Sequence, residues 1–370
     1  MAPTAILASQ HLESFKEMLD KFGITCELLV SSITKKKKEE ILERLRDGKI
    51  DILIGTHALL EENVIFNKLG LVVTDEQHRF GVKQRTTIVE KGQNPDVLVM
   101  TATPIPRTLA LILYGDLDIS IIDELPPNRK KIDTFAVTKG MEERVNNFIR
   151  KQVDEGRQAY IVCPLVEENE ELNLKSVTEL AEKYKNEVFK EYKVEYLHGK
   201  MKNKEKDEIM EKFKNGEIDI LISTTVIEVG VNVPNASLMV VENAERFGLA
   251  QLHQLRGRVG RGEYKSYCVL KYQGNSDVIR KRMKVMTDTN DGFVISEKDL
   301  ELRGSGEFFG TRQHGLPEFK IANLFEDMPI LKQVQALAVK ITEEDRKLEL
   351  DKNKELRSLI EEKFQNRVEI

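Results

Sequence analysis

The sequence predicts an α/β fold of two similar lobes with parallel sheets, followed by a charged helical tail. Three observations lead there. Short, wholly apolar stretches of strand length alternate with segments of helical spacing, which is the pattern of parallel strands covered on both faces. Polar clusters follow several of these stretches directly, where such sheets place their ligand crevices. One helix–strand unit also occurs twice, at a constant offset of 168 residues.

At 370 residues the chain is too long for one ordinary core. Charged residues make up 32%, aromatics 6%, and Trp is absent. No apolar run approaches the roughly 20 residues that cross a bilayer, and no signal peptide is recognisable. Cys26, Cys163 and Cys268 lie singly in apolar runs without metal-ligand spacing, so they read as buried thiols of a reducing cytoplasm. The net charge of -5 argues against coating nucleic acid by bulk charge. Local phosphate sites built from backbone N–H groups remain available.

Residues 5–22 have helical spacing through Ile6, Leu7, Leu12, Phe15, Met18 and Leu19, with Gly23 as a stop. A strand is expected at 24–30 and a helix at 35–47 capped by Thr34. Three apolar strands follow. Residues 50–54 end at Gly55-Thr56-His57, 69–74 end at Asp75-Glu76-Gln77-His78, and 97–100 end at Thr101-Ala102-Thr103-Pro104. Pro126-Pro127-Asn128-Arg129 reads as a linker. The second set runs through strands at 132–137, 158–163, 193–197, 218–222, 237–241 and 264–271. Helices are expected at 141–155, 175–187 and 203–215. The tail, 339–370, reads as one or two surface helices packing on the lobes.

The repeat aligns residues 38–56 with 206–224 without a gap. Each copy is an amphipathic helix, a glycine stop, the run Ile-Asp-Ile-Leu-Ile and a hydroxyl residue. Two related lobes facing one another across a cleft follow from it.

The chemistry gathers at strand ends. Adjacent carboxylates Asp75 and Glu76 suit phosphoryl transfer: one holds Mg²⁺ as a hard oxygen ligand, the other orients or deprotonates the attacking water. Thr101, Thr103, Thr224 and Thr225 offer hydroxyls to phosphate. The run 251–262 packs three arginines and three glycines into residues 256–262. Read as a helix, it puts Gln254, Arg258 and Arg261 on one cationic face suited to phosphate oxygens. Gly257 and Gly260 would let a backbone or nucleotide approach closely. Together these groups suit a nucleotide held between lobes, with Arg258 and Arg261 as arginine fingers.

In order along the chain, Asp-Glu-Gln-His, Thr-Ala-Thr-Pro, Thr-Thr-Val-Ile-Glu-Val-Gly (224–230) and Gln-x-x-Gly-Arg-x-Gly-Arg (254–261) resemble the motifs of superfamily-two helicases. The runs at 100–109, 123–127 and 243–250 are similar to the helicase portion of the RecG family of bacterial branched-DNA translocases. The resemblance implies two RecA-like lobes with parallel sheets, the first incomplete, plus a C-terminal helical hairpin and tail. Its boundaries would be 1–125, 126–275 and 276–370. It implies ATP and Mg as cofactors, with Asp75 as the metal ligand and Asp75, Glu76, Arg258 and Arg261 as catalytic residues. Gln254, Gly230 and Asn232 would bind nucleotide. Pro3, Thr4, Gly55, Thr56, His198, Gly199, Thr224 and Thr225 would contact nucleic acid. His78, Thr101, Thr103, Arg303 and Gln313 would couple hydrolysis to movement of branched or duplex DNA by a monomer.

The chain departs from the family pattern in several places. It contains no Gly-x-x-x-x-Gly-Lys-[Ser/Thr] phosphate loop, and Met1-Ala2-Pro3-Thr4 matches the motif that normally comes after it. The chain is therefore expected to begin inside the first lobe and to hydrolyse ATP poorly alone. By the family's sheet order, the phosphate-loop strand is expected between the strands ending at Asp75 and Thr101, so a gap or rearrangement should mark its place. Asn232 stands where Asp is common, and Ser305 where proline is usual. Two other readings remain open at this point: a segment of a transcription-repair coupling factor, and a non-catalytic DNA- or protein-binding module.

Overall fold

The computed structural model describes residues 1–104, 117–126, 129–164, 178–224, 233–303 and 327–364. The first lobe contains α1 (Ala5–Leu19), β1 (Cys26–Leu29), α2 (Lys35–Arg46), β2 (Ile52–Gly55), β3 (Leu71–Thr74), α3 (Val82–Val89) and β4 (Asp96–Val99). Thr4 and Thr34 cap α1 and α2, their hydroxyls accepting from Leu7 N and Lys37 N at 3.3 and 3.4 Å. Strand β1 pairs with β2, and β3 with β4, both in parallel. Met1 and Ala2 tie the two ribbons together. The Met1 amine donates to Val73 O at 2.6 Å and the Met1 carbonyl accepts from Asp75 N at 3.0 Å, while Ala2 N donates to Gly55 O at 2.9 Å.

Two expectations are corrected in this lobe. Strands β3 and β4 are hydrogen-bonded neighbours from Leu71↔Asp96 to Thr74↔Val99. The main-chain groups on their facing edges are already paired, so there is no slot between them for a phosphate-loop strand. Nor is every strand covered on both faces: Val97 and Leu98 of β4 are 49% and 50% exposed. An apolar run therefore signals a strand without guaranteeing its burial.

The second lobe contains β5 (Asp133–Thr138), α4 (Glu142–Asp154), β6 (Gln158–Val162), β7 (Val194–Leu197), α5 (Asn203–Lys214), β8 (Ile220–Ser223), β9 (Ala236–Val241), α6 (Leu249–Arg256) and β10 (Tyr267–Tyr272). Its six strands lie in the order β5-β10-β9-β6-β8-β7, and every pairing is parallel. Alternate residues feed two cores. Tyr160, Val162, Leu221, Met239 and Val241 pack on one face; Ala159, Ile161, Ile220, Ile222, Leu238 and Val240 pack on the other. Burial on both sides explains why these strands are continuously apolar. All three cysteines are buried thiols. Helices α7 (Asp277–Asp288) and α8 (Gly292–Arg303) follow.

The repeat is structural as well as textual. Helices α2 and α5 both stop at a left-handed glycine, Gly48 at φ 72° and Gly216 at φ 77°, the conformation that ends helices most readily. Asp51 Oδ2 accepts from Thr25 N at 2.8 Å, and Asp219 Oδ2 accepts from Lys193 N at 2.8 Å. The repeated aspartate thus secures the start of the neighbouring strand in both lobes.

Met1–Pro106 and Ser120–Leu302 form one compact unit. Arg107–Ile119 and Arg303–Ile370 form a second, whose described part holds α9 (Met328–Glu344) and α10 (Lys354–Phe364). Between these helices the Asp345 carboxylate accepts from Glu349 N, Leu350 N and Asn353 Nδ2 at 2.8–2.9 Å, closing the turn.

Candidate functional site

Strand β3 delivers Asp75 and Glu76 to its carboxyl end. Asp75 Oδ1 accepts from Glu76 N at 2.8 Å, and Oδ2 lies 3.1 Å from His11 Nε2 on α1. The His11 hydrogen bond holds the Asp75 carboxyl below its ordinary range, against the upward push of burial. His11 carried no motif and could not be placed here from sequence, because its partner lies 64 residues away. Glu76 adopts a left-handed backbone at φ 52°, a costly conformation for a residue with a side chain. The turn aims its carboxylate at the next strand end, where Glu76 Oε2 accepts from Ala102 N at 3.4 Å. Gln77 N donates to Met100 O and Met100 N to Thr74 O, at 3.0 and 2.8 Å. The Asp75-Glu76 and Thr101–Thr103 segments are therefore neighbours.

The carboxylate site fits a hard divalent cation. A carboxylate offers about four lone-pair positions, and Glu76 N and His11 occupy two at Asp75. Among the described residues no cluster of three or more His, Cys, Asp or Glu could hold a metal alone.

The arginine run corrects the sequence expectation. Helix α6 stops at Arg256, with Gly257 as its C-cap. The chain then turns through Gly260 at φ 77°, so Gln254, Arg258 and Arg261 do not share a helix face. The helix ends at Gly257, which is still right-handed at φ -65°, and the left-handed Gly260 then turns the chain away, so the i, i+4, i+7 spacing is not continued. The close approach lies at Gly262, where a Cβ would stand 2.3 Å from Pro234 O; at Gly257 it would meet only ordinary contacts. Arg261 Nε donates to Gly257 O at 3.2 Å. Arg258 and Arg261 both act on the Tyr160 phenol, whose pKa burial raises and their charges oppose.

Gln254 reaches the first lobe, its Nε2 donating to Thr103 Oγ1 at 2.6 Å. The line Glu76–Ala102, Thr103–Gln254 thus runs from the carboxylate pair into α6 (cofactor and coupling candidates together). Sequence reasoning missed Arg256, which is 2% exposed. Its Nη1 donates to Met286 O and Thr289 O, each at 2.9 Å, and its Nη2 lies 3.0 Å from His253 Nδ1. Nothing in the motif separates this buried arginine from its neighbours; only the fold does.

Burial, then the Arg256 charge, pushes the His253 pKa down from 6.5 to about 4. A histidine depressed on folding stays neutral in the native state while the unfolded chain takes up the proton. Its stability contribution is complete above pH 6.5 and is lost as pH falls towards 4, by about 3 kcal/mol. Urea unfolding of His253→Gln should therefore show a shallower stability loss than wild type between pH 6.5 and 4.5. Parallel wild-type and variant curves would contradict this.

Among the nucleic-acid candidates, Pro3 and Thr4 line a cavity of about 300 Å³ with His57, Arg79, Phe80 and Gln84. Gly55 has a structural reason to be glycine: a Cβ there would lie 2.2 Å from Leu29 O. Thr56 is buried. At the ends of the paired strands β7 and β8, the buried atoms His198 Nδ1 and Thr224 Oγ1 have no hydrogen-bond partner among the described residues. The Gly199 carbonyl accepts from Lys206 Nζ at 2.7 Å. Thr225, Gly230, Asn232, Ser305 and Gln313 lie outside the described residues, as do the side chains of His78 and Arg303.

Residues 1–112 match the DEAD/DEAH box helicase family and 141–263 the helicase conserved C-terminal domain. Residues 289–368 match the C-terminal part of domain 3 of the ATP-dependent DNA helicase RecG. The ATP-dependent DNA helicase RecG of Bacillus subtilis is 50% identical over 345 residues, which are 93% of this chain and 51% of that protein. Over nine tenths of its length the chain is similar to RecG. RecG of Thermotoga maritima is 52% identical over 331 residues, 90% of this chain and 42% of that protein. The chain thus spans about half the length of the curated relatives it matches. A structure of RecG bound to a three-way DNA junction superposes with a TM-score of 0.72 at 48% identity, covering 90% of this chain and 43% of that one. Saccharomyces cerevisiae Dbp5 bound to RNA and ADP BeF3 shares the fold at 19% identity and a TM-score of 0.55, covering 90% of this chain and 80% of that one. The two lobes are RecA-like, and no described helix is long and apolar enough to cross a membrane.

Proposed function

We propose that the whole protein is an ATP-dependent DNA helicase acting on branched DNA, such as stalled forks and Holliday junctions, in recombination and repair. This chain carries its motor: a first lobe at 1–125, a second at 126–275, and the hairpin with its tail at 276–370. The observation that carries the reading is the polar line from Glu76 through Ala102 and Thr103 to Gln254. It joins a carboxylate pair suited to hydrolysis with the helix leading to Arg258 and Arg261. Bound ATP would lie against both, so that its hydrolysis changes how the lobes meet.

Asp75 would hold Mg²⁺, which neutralises phosphate charge when bound. Glu76 orients and deprotonates the attacking water, Arg258 and Arg261 stabilise charge on the transferring phosphate, and Gln254, Gly230 and Asn232 hold the nucleotide. Pro3, Thr4, Gly55, Thr56, His198, Gly199, Thr224 and Thr225 would track the DNA backbone. Thr224 Oγ1 and His198 Nδ1, buried and without a hydrogen-bond partner among the described residues, support this reading, since such atoms are costly unless a ligand or water satisfies them. His78, Thr101, Thr103, Arg303 and Gln313 would link hydrolysis to DNA movement.

The test compares two preparations in Mg²⁺ and ATP with forked DNA. The whole protein should hydrolyse ATP faster with the fork than without it, and should unwind the fork. The 370-residue chain, whose sequence has no phosphate-loop lysine, should turn over at least about 100-fold more slowly. Fork-independent hydrolysis by the whole protein, or equal rates in the two preparations, would count against the proposal.

A further inference from the structure

The Asp75 carboxylate is held from two sides, and only one of them belongs to its own strand turn. Glu76 N, the next residue in the chain, donates to Oδ1 at 2.8 Å. His11 Nε2, on α1, lies 3.1 Å from Oδ2. An ionised carboxylate can only accept, so Nε2 carries the hydrogen. Each oxygen thus has one fixed donor and keeps lone-pair positions for another ligand. The last torsion of an aspartate is broad, so its rotamer alone does not set the plane of the carboxylate. Two donors, one on each oxygen, do set it.

His11 can act this way because α1 is seated independently of the turn at Asp75. Thr4 caps the helix, its Oγ1 accepting from Leu7 N at 3.3 Å. Just before it, Ala2 N donates to Gly55 O at 2.9 Å. Ala8 is buried in one core with Val30 and Ile54. His11 follows Ala8 by three residues and so lies on the same side of the helix. The seated helix therefore delivers the imidazole to the end of β3. As a tether the contact is weak: the two side chains are 33% and 22% exposed, and pairs so open to water contribute little to stability. Its main consequence is the direction of the carboxylate.

We propose that His11 is a positioning residue for the divalent cation, its Nε2–H fixing the plane in which the Asp75 carboxylate meets the metal. The inference rests on the helicase reading above, in which Asp75 holds Mg²⁺. Such a cation keeps several waters and takes only one or two carboxylates, so the direction of each carboxylate matters. Partners that hydrogen-bond a ligating group carry about 10–100-fold in metal affinity. The role of His11 runs through Asp75. Its loss weakens the hold on the metal and leaves the chemistry in place once metal is saturating.

The test uses the whole protein loaded with ADP. It reads Mn²⁺ binding by electron paramagnetic resonance, beside ATP turnover as a function of Mg²⁺ concentration. His11→Phe keeps a ring and removes the donor, whereas His11→Gln removes the ring and keeps an N–H close to the place of Nε2. His11→Phe should weaken Mn²⁺ about tenfold and raise the Mg²⁺ needed for half-maximal turnover by about the same factor, with turnover at saturating Mg²⁺ within about threefold of wild type. His11→Gln should recover Mn²⁺ affinity to within about threefold. On an Asp75→Asn background, His11→Phe should change that affinity by less than about twofold, because contacting residues couple. His11→Ala should show the same loss and carries the test if His11→Phe does not fold. A helix-packing role would give the reverse order, with Phe tolerated and Gln harmful. That order, wild-type Mn²⁺ affinity in the variants without a donor, or a full further loss on the Asp75→Asn background would each overturn the role of His11 alone. Wild-type Mn²⁺ affinity in Asp75→Asn itself would overturn the assignment of the metal to Asp75, and this role with it.

Discussion

Glu76→Gln should lower ATP turnover by the whole protein by about 10³-fold while ATP affinity stays within about threefold, because a positioned general base contributes 10²–10⁴. The substitution is nearly isosteric. Gln can keep the left-handed turn at φ 52° and can still accept from Ala102 N through its carbonyl oxygen. What it removes is the proton acceptor. A filter-binding measurement of ATP beside steady-state hydrolysis separates the two effects. If turnover falls less than tenfold, Glu76 is a hinge between strand ends and the base lies elsewhere. If affinity collapses together with turnover, the turn itself has been disrupted.

Arg258→Ala should cost 10³–10⁴ in turnover, about the worth of an arginine finger, and Arg258→Lys should recover little of it because a point charge does not reproduce a planar fork. The expectation depends on the break at Gly257 and Gly260, which takes Arg258 off the face of α6. Single-turnover hydrolysis at saturating ATP would decide between the roles. An Arg258→Ala protein with wild-type single-turnover rates would leave Arg258 as a structural neighbour of Tyr160 only. Both experiments read chemistry, so neither can be mimicked by weakened DNA binding when the fork is saturating.

Much of the layout follows from local patterns. The repeated run ending in Ile-Asp-Ile-Leu-Ile specifies a helix, a left-handed glycine and a strand, and Gly48 and Gly216 both take that conformation. Strand ends were readable because apolar runs stop abruptly at polar residues, and these ends place Asp75, Glu76 and Thr101–Thr103 together. The buried sheet of the second lobe was legible for the same reason, since strands covered on both faces have no polar alternation to blur them.

The rest depends on contacts distant in sequence. Periodicity carries no information about which strands pair; the family's sheet order put a strand between β3 and β4, with a gap or rearrangement in its place, and the two strands pair directly. Helical spacing placed Gln254, Arg258 and Arg261 on one face, and backbone turning at the glycines separated them. His11 meets Asp75 across 64 residues, and Arg256 meets Thr289 across 33; each is an ordinary polar residue until the fold supplies its partner. Sequence alone determined the elements, their repeat and the family motifs, because propensity, capping and apolar runs act within a few residues. Tertiary structure alone decided strand neighbours, the end of α6 and the burial of Arg256, because a buried charge or a sheet edge is settled by whichever distant group satisfies it.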